Sequence, residues 1–127
     1  MVAPPHLAVG EARTQVIASR RYVRAVVRLL STDARTAAEA AIVARPDAWP
    51  VIQGTGGARK ARVALPGRGK SGGARMIYFF SATPSVVAFL DIYAKGTKDD
   101  LTQADKQDIR AAISEIRAAL RASAPRA

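Results

Sequence analysis

Apolar positions recur along this chain with two different periods. From Arg20 to Leu30, Val23, Val26, Val27 and Leu30 fall at helical spacing, and Arg20, Arg21, Arg24 and Arg28 occupy the other side, so the segment predicts an amphipathic helix. Just ahead of it, TQVIAS (Thr14–Ser19) is a short β-prone run that predicts a first strand. Thr32 is placed to cap a second helix, with Asp33 in its first turn favourable to the helix dipole. That helix runs from Asp33 to about Ala44, is rich in alanine and ends before Pro46, giving an αα-hairpin.

The pattern then changes. QGTGG (Gln53–Gly57) is a turn cluster, and three β-prone runs follow: Arg59–Leu65, Ala74–Phe80 and Val86–Tyr93. The short stretches between them, Pro66–Gly73 and Ser81–Ser85 with Pro84, favour an antiparallel meander. Thr102 and Asp105 form a capping pattern with Asp in place of the usual Glu. Ile109, Ala112, Ile113, Ile116 and Leu120 then line one face of a final helix. The order β-α-α-β-β-β-α predicts an α+β fold with a mostly antiparallel four-stranded sheet and helices on one face. No internal repeat or linker divides the chain. The expected layout is a disordered leader over 1–12, one domain over 13–122 and a loose tail over 123–127.

At 127 residues and 49% hydrophobic, the chain suits one domain with a real core. It has no cysteine, which excludes disulfide scaffolds and cysteine chemistry and fits a reducing cytoplasm. No apolar run reaches membrane-spanning length, and Met1–Gly10 lacks the pattern of a signal peptide. Charge alters the picture more. Twenty Lys and Arg against ten Asp and Glu leave a net charge of +10, which calls for a polyanionic partner: nucleic acid, an acidic protein or a membrane surface. A GC-rich genome alone would scatter acids among these cations. Instead, Trp49 to Leu90 contains no acidic residue, yet holds Arg59, Lys60, Arg62, Arg68, Lys70 and Arg75. Concentration of this kind favours a site for such a partner.

ALPGRGKS (Ala64–Ser71) fits a permissive phosphate-loop pattern, but that loop needs a helix starting at its Lys-Ser, and here Gly72, Gly73 and a strand-like run follow. The same residues read better as a basic hairpin loop whose glycines let backbone approach a phosphodiester. Lys60 and Arg62, two apart on one strand, share a face, and a hairpin can bring Arg75 beside them, with Lys95 following the third strand. Clustered cations can hold a phosphodiester and stabilise charge that grows on it. His6 is the single histidine and lies in the leader, so a histidine acid–base pair and a histidine metal site are both excluded. Trp49, Tyr78, Phe79, Phe80, Phe89 and Tyr93 could stack on bases, although core packing is the commoner role of strand aromatics. Asp99 and Asp100 read as the acidic start of a loop, not as metal ligands.

Taken together, VIQGTGGARKARVALPGRGKSGGARMIYFF (Val51–Phe80) and LDIYAKGTKDDLT (Leu90–Thr102) resemble the HigB-type branch of the RelE/ParE toxin superfamily. The shared succession is an IQGTGG turn, an RK-x-R strand, a basic glycine loop, an IYxF strand and an IYxK segment before the last helix. It spans roughly Trp49 to Ile113; the first 48 residues match in layout alone. The resemblance implies a toxin that enters the ribosomal A site, cuts the exposed mRNA codon without a metal or other cofactor, and is neutralised by a cognate antitoxin. It carries catalytic roles to Lys60, Arg62 and Arg75, with Lys95 next to a position where a further arginine would sit and where this chain has Gly96. The C-terminal catalytic tyrosine of RelE has no counterpart, since that region reads Leu101-Thr102-Gln103. By this reading Lys60 or Lys95, losing its proton beside neighbouring cations, is the candidate base. Arg62 and Arg75 stabilise the phosphate, and Arg59, Arg68 and Lys70 grip RNA backbone. A ParE-like inhibitor of DNA gyrase and a non-catalytic RNA-binding remnant share the fold and stand as alternatives.

Overall fold

A computed structural model of the chain describes residues 13–66 and 72–123. The expected leader over 1–12, residues 124–127 of the expected tail, and Arg68 and Lys70 lie outside the described residues.

Strand β1 (Gln15–Ala18) leads through Ser19 into α1 (Arg20–Leu29), and α2 is Thr32–Ala44. Both helices start on a serine. Ser19 Oγ accepts from the Tyr22 amide at 3.1 Å and donates to the Leu90 carbonyl at 2.8 Å, so one hydroxyl caps α1 and ties it to the sheet. Ser31 Oγ accepts from the Ala34 amide at 3.1 Å. The cap of α2 is therefore Ser31 and not Thr32, because Thr32 is already helical. Asp33 sits in the first turn as expected.

Strands β2 (Arg59–Val63), β3 (Ala74–Ala82) and β4 (Ser85–Ala94) form the antiparallel meander. β1 adds at the far side of β4, parallel to it, giving the order β1-β4-β3-β2. The β2–β3 hairpin is tight at its base. A Cβ on Gly73 would come within 2.2 Å of the Val63 carbonyl oxygen, a contact that excludes any side chain without a backbone shift. The fold is thus α+β with a mostly antiparallel four-stranded sheet, as the periodicities predict.

The arrangement of the helices differs from expectation. Met76 and Tyr78 of β3 pack with Tyr22, Val26 and Ile42 of the helical hairpin. Their neighbours Ile77 and Phe79 pack with Ile109 and Ile113 of α3 (Gln103–Ser123). Successive strand residues point to opposite faces, so the helices cover both sides of the sheet rather than one. The physical reason is that β3 from Ala74 to Phe79 and β4 from Val86 to Ala94 are buried at every position. Strands of that kind need apolar cover on each face. α3 begins with the expected reciprocal cap: the Asp105 amide donates to Thr102 Oγ1 at 3.0 Å and the Thr102 amide to Asp105 Oδ2 at 2.8 Å.

Candidate nucleic-acid interface

Pairing in the meander sets a row across three strands. Arg62 on β2 lies directly opposite Arg75 on β3, and Arg75 directly opposite Tyr93 on β4. One step along, Lys60 pairs with Ile77 and Ile77 with Asp91. Because Ile77 and Tyr93 pack with α3, this row belongs to the α3 face. Arg59 and Ala61 alternate with these positions and belong to the other face, where Ala61 joins the helical hairpin.

Two arginines directly opposite repel one another unless an anion or a turned side chain separates them. β2 is the edge strand, and Arg62 is turned outward: its guanidinium lies 5.8 Å from the centroid of the Trp49 ring. Arg75 stays inside. Its residue is only 8% exposed, and Nη1 donates to its own strand's Ala74 carbonyl at 3.3 Å. Lys60 is half-buried, and its ammonium lies 3.7 Å from Asp100, whose Oδ1 also accepts from the Leu101 amide at 2.8 Å. Lys95 follows β4 at the same end; its amide donates to Gly73 at 3.0 Å, two residues before Arg75. The register therefore sets the backbone positions of Lys60, Arg62 and Arg75 on one face and Lys95 at the end of that row, while the Arg62 guanidinium itself turns to Trp49, which packs with the helical hairpin. Arg59 is placed differently. Its guanidinium donates to the Trp49 carbonyl at 2.6 Å and the Asp47 carbonyl at 3.3 Å, fastening the segment that leads into β2.

Tyr93 completes the row. It is 7% exposed, Lys98 lies over its ring at 5.4 Å, and its hydroxyl has no hydrogen-bond partner among the described residues. Burial pushes its phenol up to about 12, the Asp100 carboxylate pushes the same way, and Arg75 opposes them.

Beside the row is an ionic knot. Arg21, from the start of α1, reaches Asp91 of β4 at 3.2 Å, Asp108 at 3.4 Å and Asp105, both on α3. Lys98 also pairs with Asp105. Burial pushes the Asp105 carboxyl up, but hydrogen bonds from Lys98, the Thr102 amide and Arg21 outweigh it and hold the group well below the usual carboxylate range. In Asp91 burial wins over Arg21 and the pKa is raised. The knot was not anticipated from sequence. Its one visible signal is Asp91, a carboxylate inside the otherwise apolar run VVAFLDIYA.

Among the described residues no group of His, Cys, Asp or Glu could hold a metal ion, and no helix is long and apolar enough to cross a membrane. The chain is a basic α+β protein whose sheet register sets cationic positions side by side on β2 and β3. The sequence matches the family of the RelE toxin of the RelE/RelB toxin–antitoxin system over residues 20–124. The chain belongs to that family, and is thus the toxin half of a pair whose other half is an antitoxin.

Proposed function

We propose that this protein is a ribosome-dependent mRNA endoribonuclease of the HigB type, acting without a metal. The observation that supports the reading is the register that sets Arg62, Arg75 and Tyr93 side by side, with Lys60 one step away on the same face. A phosphodiester laid on that row meets guanidinium groups at the charge that develops in transfer. The ribose 2′-hydroxyl gives its proton to a base, Lys60 or Lys95, and its oxygen bonds to the adjacent phosphorus. The bond from phosphorus to the 5′ oxygen breaks, and that oxygen takes up a proton. The products are a 5′-hydroxyl and a 2′,3′-cyclic phosphate, which water opens to a 3′-phosphate. Arg75, held by burial, meets the pentavalent phosphorane; Arg62, Arg68 and Lys70 contact backbone, and Arg59 supports the strand. The partners are the ribosomal A site, its mRNA and a cognate antitoxin, in the cytoplasm.

Induction in growing cells tests this. Mapping of RNA ends should show new, codon-linked ends on translated messages while replication continues. Arrested replication with intact mRNA would instead assign the chain to gyrase inhibition.

A further inference from the structure

Buried hydroxyl groups in folded proteins almost always have a partner, and one that has none asks for a reason. Tyr93 is the case here: 7% exposed, its hydroxyl closed off from solvent, with no hydrogen bond among the described residues. Its position is not arbitrary, since it is the direct cross-strand partner of Arg75. Charges of both signs surround it, Arg75 opposing the carboxylates of Asp100, Asp91 and Asp105. Lys98 lies over the ring and pairs with Asp105, while Lys60 comes from β2 to Asp100, whose partners among the described residues are Lys60 at 3.7 Å and the amide of Leu101. The Asp100 side chain is 64% exposed, so it can swing into solvent.

We infer that the Tyr93 hydroxyl donates a hydrogen bond to a non-bridging oxygen of the substrate phosphate, in the place that the Asp100 carboxylate borders in the free protein. The inference rests on the proposed reaction and adds to it a residue that touches the reacting group. A phenol pushed up to about 12 keeps its proton at neutral pH, so it serves as a donor and not as the base. Asp100 is then the resident anion of the free enzyme, and RNA replaces it. A neutral donor beside Arg75 suits this place, because it adds a hydrogen bond without adding a further charge to the row.

Tyr93→Phe removes that hydroxyl and nothing else, and it separates two roles by opposite signs. Loss of an unpartnered buried hydroxyl leaves stability unchanged or improves it. Loss of a donor to the phosphate slows cleavage by about 10- to 100-fold in single turnover on programmed ribosomes. The expected result is a melting temperature at or above that of the parent with slower cutting. Binding to ribosomes carrying a message with 2′-deoxyribose at the cut site should weaken only slightly. Cutting at the parent rate overturns the inference, and so does a lowered melting temperature, which would reveal a structural partner for the hydroxyl. If the parent protein itself does not cut, the proposed reaction is what has failed. The anion site is then judged with inorganic phosphate: it should raise the melting temperature of the parent more than that of Tyr93→Phe, and equal shifts overturn the site as well.

Discussion

Among the described cations of the basic segment, Arg75 alone is held inside the protein. Its depth costs desolvation, which a surface grip on RNA does not require, and a preorganised guanidinium is most useful where charge develops during reaction. Arg75→Ala should therefore slow cleavage of bound message by about 10²-fold or more, with ribosome association nearly unchanged. Single-turnover cutting alongside a pelleting assay measures both, and Arg75→Lys, which keeps the charge and most of the volume, guards against a merely unfolded variant. Release from ribosomes with normal cutting in the bound fraction would make Arg75 a binding residue. Arg59 shows where reading by residue type stops. In the sequence it is one cation among six, next to Lys60; in the fold, alternation sends it to the other face, where its hydrogen bonds go to Asp47 and Trp49. Lys60, Arg62 and Arg75 could be grouped in advance because a two-residue period and a hairpin are local facts. The place of Tyr93 opposite Arg75 could not. It depends on the register of a second hairpin, on which Leu90 is passed over where pairing shifts between Ile77 and Tyr78.

Among the elements, α3 is the most plainly written, since a capping pattern and a long apolar stripe are both read from neighbours in sequence. Which face it covers is not local. Nothing in its own residues says that it crosses to the side opposite α1 and α2; that follows from strands buried on both sides. The knot of Arg21, Asp91, Lys98 and Asp105 joins α1, β4 and α3 across this division. Asp105 is its centre, with a carboxyl lower in the folded state than its ordinary value of 3.8. Such a group contributes its stability in full above the ordinary value and loses it as pH falls below that value toward the folded one. Asp105→Asn should thus destabilise the protein by about 2 kcal/mol at pH 7, from lost charge-assisted hydrogen bonds. The gap between variant and parent should close as pH falls below about 4. Asp91, raised by burial, works in the opposite sense and is common to both proteins. Denaturant midpoints across pH 7 to 2 give the answer, and a constant gap would mean that Asp105 acts through shape rather than charge.

On the scale of the whole molecule, the +10 charge supplies attraction to RNA without choosing where to cut. The row lies on the α3 face of an open four-stranded sheet, and by the proposed reading the ribosome supplies the in-line placement of the message. Naked mRNA should therefore be left largely intact by the purified protein, and programmed ribosomes should restore cleavage; efficient cutting of protein-free RNA at low enzyme concentration would contradict this. The sheet also orders events in time. Among the described elements β1 comes first in the chain, yet its partner is β4: Gln15 pairs with Val86, and Thr14 and Ser85 hydrogen-bond across 71 positions of chain. A parallel pairing at that separation closes late and carries a large entropic cost. While the chain is being synthesised, the helical hairpin has no sheet to rest on, and the row of Arg62, Arg75 and Tyr93 does not exist until β4 has emerged. For most of its translation a nascent chain therefore lacks the complete row on which the proposed reaction depends.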